Sequence, residues 1–322
     1  MPAEAVVGCP NPRQADQDFC RTAHMLDSTK PGMRPRIAPA GLMFLAITSI
    51  GWGFNWPVTK FLIGELPPLT LRGVTGVLGA VLLAALALIR GDSLKVAPQI
   101  WPRLLTAAVL NVTGWMVLMG LALLWLPASE AALIAYTMPV WASIIAWPVL
   151  GERPTVLRTL GLVMAFVGLA SIMGGNGIAA SMEKLPGIIM VLCGALGFAV
   201  GTVFSKKYPI LLPPITAAAW QIGIGCLPIS IVGLLVETTH LDKVTPAGWW
   251  LLVYSTVVQF CIAYVSWFAA LARLPASVAA IGTMAVPVIG VVASAVALGE
   301  PLGPGQIASL IFTLAAVALA TR

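Results

Sequence analysis

The chain has 322 residues, 59% hydrophobic and 9% charged, and a mean hydropathy of +0.96; this excludes a water-soluble domain and makes a bilayer its solvent. Its net charge of +6 is carried by single Lys and Arg residues between apolar runs, which speaks against a nucleic-acid-binding face and for orientation signals. Five cysteines, three of them inside apolar runs, with no CxxC spacing and no GxxxxGK[ST] motif, leave no sign of a disulfide framework, a metal ribbon or an ATP-driven pump.

Residues 1–38 are polar, contain Cys9, Cys20 and several prolines, and lack the apolar centre of a signal peptide; they are read as a disordered cytoplasmic tail. Met33, just ahead of Arg34 and Arg36, is an alternative start that would make residues 1–32 an extension. Ten apolar runs follow, at 40–59, 68–89, 104–125, 128–149, 155–174, 186–205, 213–236, 247–270, 276–298 and 303–320. About twenty apolar residues cross a core roughly 30 Å thick, so each run predicts one membrane-spanning helix. The connections are too short for a soluble catalytic or ligand-binding domain, so function is expected inside the membrane.

With the N-terminus inside, 14 of the 18 Lys and Arg residues fall on the cytoplasmic side, and only Lys60, Arg72, Lys184 and Lys243 fall opposite. That bias predicts both termini in the cytoplasm and an even number of crossings.

The halves repeat. Residues 127–152 align without gaps on 275–300, with 10 of 26 positions identical, including Pro-Ala-Ser at the start, Pro139 and Pro287 at the centre and Leu-Gly-Glu at the end. More weakly, Gly51, Lys60 and Pro67-Pro68 match Gly197, Lys206 and Pro213-Pro214. The predicted domains are therefore 40–174 and 186–321, five helices each. Because five is odd, the second half enters the membrane from the opposite side, giving an all-α integral membrane fold of ten transmembrane helices in two inverted five-helix repeats.

These elements resemble the drug/metabolite transporter superfamily and, within it, the EamA-like ten-span permeases. The matching residues are Gly51-Trp52-Gly53, Asn55 and Lys60, then Pro67-Pro68 and Arg72, Ala128-Ser129-Glu130-Ala131-Ala132 running to Pro139, and Gly151-Glu152-Arg153 with Gly161. Pro275-Ala276-Ser277, Pro287 and Gly299-Glu300 repeat the pattern. The resemblance implies a multi-pass exporter or importer of metabolites or amino acids in a bacterial inner membrane; of the two directions, export is the one expected here.

Two ionisable side chains stand inside the spans, Arg72 and Glu130. Each lies about one turn from the same surface; either they snorkel to headgroups, or they form an ion pair or a substrate contact at the outer mouth. Glu130 is also the one acid in the spans available for proton coupling, and with every aspartate and histidine outside them, facilitated or exchange transport is expected. Pro139 and Pro287 predict matched kinks facing a central cavity, or bends that serve packing alone.

Candidates to line that cavity and contact substrate are Trp52, Asn55, Trp56, Asn111, Trp115 and Tyr136 from the first half, and Gln221, Tyr254, Gln259 and Trp267 from the second. Interhelical hydrogen bonding is the alternative for the amides, and interfacial anchoring for the aromatics. No cofactor, metal or nucleic acid is expected; the partners are a small-molecule substrate and the bilayer, with a homodimer among the permitted assemblies. The rival functions are a membrane-embedded enzyme, which would need clustered Asp, His or Cys, and a non-transporting scaffold or sensor.

Overall fold

The computed structural model describes residues 39–151, 156–174, 177–274 and 283–320. The readings placed on residues 1–38, 152–153 and 275–277 lie outside these.

Proline decides where most of the helices begin. The first repeat supplies α1 (Pro39–Ile63), α2 (Pro68–Ile89), α3 (Pro98–Ala122), α4 (Ala128–Leu150) and α5 (Val156–Gly174). The second supplies α6 (Gly177–Lys207), α7 (Pro214–Val236), α8 (Pro246–Leu271), α9 (Ala285–Leu298) and α10 (Pro304–Ala320). The first amide of a helix has no intrahelical partner, so proline fits there, and the preceding residue stays extended, as Pro67 and Thr245 do. Gly151 and Gly299, which correspond in the two repeats, close α4 and α9 in the left-handed conformation, at φ 74° and 66°. Six helical stretches, α2, α3, α4, Met182–Lys207 of α6, α7 and α8, are each long and apolar enough to cross a membrane.

Two boundaries differ from those expected. α3 starts at Pro98 through a 3-10 turn and ends at Ala122, because Leu124, Trp125 and Leu126 turn back onto the carbonyls of Leu121 and Ala122. α6 runs through Pro186 instead of starting there, which brings Lys184 into the helix.

Three helices are irregular at mid-depth. α3 widens to a π-helix over Val109–Thr113, and its counterpart α8 does so over Tyr254–Ile262. α4 breaks between Ala135 and Met138. Pro139 thus falls in the first turn of the second segment, where its missing amide leaves no hydrogen bond unmade, and the change of direction sits one turn earlier, at Tyr136 and Thr137. Pro287 occupies the first turn of α9.

The principal packings all join one repeat to the other: α2 with α7, α5 with α10, α1 with α9 and α8, and α6 with α4 and α3. Exchanging the repeats maps this set onto itself, as a two-fold relation requires. Small residues allow the closest of these contacts. A methyl group on Gly73 would strike the Ser230 backbone, one on Gly76 the Cys226 thiol, and one on Gly79 the Phe260 side chain.

Three carboxylates tie the repeats together at the end of the bundle away from Pro39 and Ala320. Glu65 accepts from the Thr245 amide (3.3 Å) and hydroxyl (2.6 Å) before α8. Glu237 accepts from the amides of Leu69 (3.1 Å) and Thr70 (2.7 Å) and the Thr70 hydroxyl (2.8 Å) at the start of α2. Glu300 does the same for the amides of Ala128 (2.6 Å) and Ser129 (2.9 Å) and the Ser129 hydroxyl (2.5 Å) at the start of α4. Each satisfies helix donors that would otherwise be orphaned and places negative charge at the positive end of a helix dipole. Lys60 adds hydrogen bonds to the carbonyls of Leu123 and, at 2.9 Å, Leu126.

Candidate functional site: a central aromatic cavity with one buried guanidinium

The spacing i, i+3, i+4, i+7 puts Trp52, Asn55, Trp56 and Thr59 on one face of α1. That face borders a hollow of about 710 Å³ including its mouth, of which about 120 Å³ admits the centre of a water molecule. The remaining walls are Arg72 from α2, Trp115, Met116 and Leu123 from α3 and the turn after it, Tyr136 and Met138 from the break in α4, Phe198 from α6, and Gln259 and Tyr264 from α8. Both repeats therefore contribute, and so do the irregular segments of α4 and α8.

The polar groups form a directed chain. Arg72, only 4% exposed, donates from Nη1 to the Thr59 hydroxyl at 3.3 Å, and Thr59 donates to Asn55 Oδ1 at 3.4 Å. The Arg72 Nε–H is buried and has no hydrogen-bond partner among the described residues. On the opposite wall the Ser255 hydroxyl donates to Gln259 Oε1 at 3.1 Å. Around these groups the rings interlock: Trp52 meets Tyr264 edge-on at 5.4 Å between centroids, and Trp115 meets Phe198 at 5.1 Å.

Of the ten candidate lining residues, Trp52, Asn55, Trp56, Trp115, Tyr136 and Gln259 border the cavity, and four do not. Asn111 lies between α3 and α6 against Gly201, reaches Ser205 at 3.5 Å through Nδ2, and leaves Oδ1 buried without a partner. Gln221 is half-buried on α7. Tyr254 donates to the Gly51 carbonyl at 2.9 Å, and Trp267 stacks behind Trp52 at 5.9 Å within a cluster formed with Leu45, Ala270 and Leu274.

The two intramembrane charges separate. Arg72 faces the cavity. Glu130, 1% exposed, instead binds Lys184 of α6, whose ammonium donates to Oε1 at 2.8 Å and Oε2 at 2.9 Å, and Gln306 of α10 donates to Oε1 at 3.3 Å. Neither side chain snorkels to a surface. Among the described residues, no group of three or more His, Cys, Asp or Glu is placed to hold a metal ion.

Thr59, Met116, Leu123, Met138, Phe198 and Tyr264 also line the cavity although the sequence did not single them out. The repeat register offered a signal for Phe198, whose counterpart is conspicuous, and pairs two of the others with each other. Phe198 corresponds to Trp52 when Gly51 is set on Gly197, and Tyr264 corresponds to Met116 when Pro98 is set on Pro246.

A ten-helix bundle with a cavity walled by both repeats defines a polytopic membrane transporter, and comparison with known proteins supplies the family. Residues 39–174 and 185–322 each match the EamA-like transporter family; the chain belongs to it, a family of transporters within the drug/metabolite transporter superfamily and not of enzymes. It is 30% identical to the uncharacterized transporter YvbV of Bacillus subtilis, over 86% of this chain and 90% of that protein. It is 26% identical to a probable amino-acid metabolite efflux pump of Salmonella typhimurium, covering 84% of this chain and 92% of the other. It is also 26% identical to the aromatic amino acid exporter YddG of Ancylobacter novellus, covering 79% and 88%. A crystal structure with 21% sequence identity superposes with a TM-score of 0.65 over 87% of this chain and 96% of that one, which shows a shared fold.

Proposed function

We propose that the protein is a secondary carrier that moves small organic metabolites, amino acids among the candidates, by alternating access, with export as its physiological direction. The observation that carries this reading is the mid-depth cavity walled by corresponding positions of the two repeats, Trp52 with Phe198 and Met116 with Tyr264. Inverted halves around one site give two states of similar energy that face opposite sides. The names of the Salmonella and Ancylobacter relatives support export and amino-acid-like cargo.

In this reading both termini are cytoplasmic and the membrane is a bacterial inner membrane, as the distribution of Lys and Arg suggests. The end at which Glu65, Glu237, Glu300 and Lys60 tie the helices together is then the outer one. Opening it requires breaking three carboxylate contacts, each spanning the two repeats. A homodimer is compatible with this arrangement and plays no part in it.

The test is reconstitution into liposomes with a panel of labelled amino acids and carboxylic acids. A carrier gives saturable flux that rises when unlabelled substrate is present on the opposite side. A conductance far above carrier turnover would replace this reading with a pore, and absence of flux for the whole panel would reject it.

A further inference from the structure

Resting on the carrier reading, we infer that the cargo is an organic monoanion: its carboxylate is held by Arg72 while a planar apolar body lies between the cavity's tryptophans. A guanidinium is protonated at every pH the protein meets. At 4% exposure Arg72 is shielded from bulk water, and a buried charge without a counter-charge is among the most costly features a fold can carry. The protein provides very little in return. Thr59 is a neutral acceptor and passes its own proton to Asn55, while the Nε–H has no partner among the described residues.

The described carboxylates nearest in kind are engaged elsewhere. Glu130 is bound to Lys184, and Glu65, Glu237 and Glu300 each hold the start of a helix. The negative charge that would complete Arg72 therefore comes from whatever enters the cavity, and a carboxylate matches the guanidinium fork in shape as well as sign.

The same inventory speaks against a second charge on the cargo. None of the described residues lining the cavity is acidic, so a zwitterion would bury its ammonium against neutral groups, whereas a monoanion leaves the occupied site neutral. Selection for net −1 distinguishes carboxylic acids that lack a free amine from the amino acids themselves. The indole walls, Trp52 and Trp115 among them, and the neutral amide of Gln259 suit an aromatic or branched body with few polar groups.

The experiment is a charge series on one carbon skeleton, measured by titration calorimetry on the full-length protein in detergent: 3-phenylpropionate, phenylalanine, 3-phenylpropionamide and 3-phenylpropylamine. The expected result is that 3-phenylpropionate binds about 10- to 100-fold more tightly than each of the others, the range one charge-assisted contact supplies. In Arg72→Gln the anion should fall to the level of the amide, with Arg72→Lys in between. Equal or tighter binding of phenylalanine, of the amide or of the amine, an unchanged preference in Arg72→Gln, or no binding by any of the four would overturn the inference. The wild-type series decides the matter even if Arg72→Gln does not fold. Exchange of 3-phenylpropionate in proteoliposomes is scored separately: ordered binding without exchange removes the carrier reading and leaves the anion site standing.

Discussion

The Glu300 carboxylate, which follows α9 in the second repeat, accepts three hydrogen bonds from the start of α4 in the first, two of them from the amide and hydroxyl of Ser129. A cap supplied from within a helix's own turn stabilises that helix alone; this one comes from the other repeat and holds the two together. Glu300→Ala should cost about 1–2 kcal/mol of stability, as loss of a charged cap does. It should also loosen that end of the bundle. A cysteine placed at Thr59 is expected to react faster with a membrane-impermeant thiol reagent added on that side in the Glu300→Ala background than in wild type, and equal rates would show that the contact does not hold that end together.

Glu130 and Lys184 form an ion pair outside the cavity walls, the carboxylate buried and the ammonium partly exposed. Removing the lysine leaves a buried carboxylate uncompensated, so Lys184→Met should lower stability by about 3 kcal/mol. The double variant Glu130→Gln with Lys184→Met should recover most of that loss, as read by thermal unfolding in detergent. Because neither residue is among the described residues lining the cavity, transport by the double variant should keep the pH dependence of the wild type; a flattened pH profile would give Glu130 a part in proton coupling.

What was legible in the sequence follows from where the chemistry left a local trace. Trp52, Asn55 and Trp56 stand out because polar and indole groups are unusual on one face of an apolar helix, and the cavity lies along that face. Phe198 and Met138 left no such trace, since an apolar residue in an apolar span is unremarkable until its place in the repeat is compared. Lys184 was assigned to a loop because Pro186 resembled a helix start, and α6 begins nine residues earlier, at Gly177. Glu65, Glu237 and Glu300 looked like connecting-segment charges for a related reason: the helix ends they cap are distant in sequence, so no capping pattern appears beside them. Asn111 shows the opposite failure, a conspicuous amide whose neighbours are Gly201 and Ser205 and not the cavity.

The α2 glycines offer a test of how closely the repeats must approach. A methyl on Gly73 would meet the backbone of Ser230, which cannot turn aside as a side-chain terminus can. Gly73→Ala should therefore separate α2 from α7 and cost about 1–3 kcal/mol. Gly197→Ala is the control, because no described residue comes within 4 Å of the added methyl; it should leave the melting temperature in detergent unchanged. Equal losses from both would mean that helix proximity is not what the Gly73 position protects.

Trp52 and Phe198 occupy corresponding places in the two repeats and both border the cavity, so a substrate held between the halves should depend on each. Trp52→Ala and Phe198→Ala should each raise the half-saturating concentration for exchange about tenfold, which is the loss of one aromatic contact of roughly 1.4 kcal/mol. Gln221, equally conspicuous in sequence but half-buried on α7 and absent from the cavity walls, should tolerate alanine with no change in that concentration. The comparison separates position from residue type: if Gln221→Ala weakened half-saturation as much as Phe198→Ala did, substrate would have to pass along α7, and the central cavity would lose its claim to be the binding site.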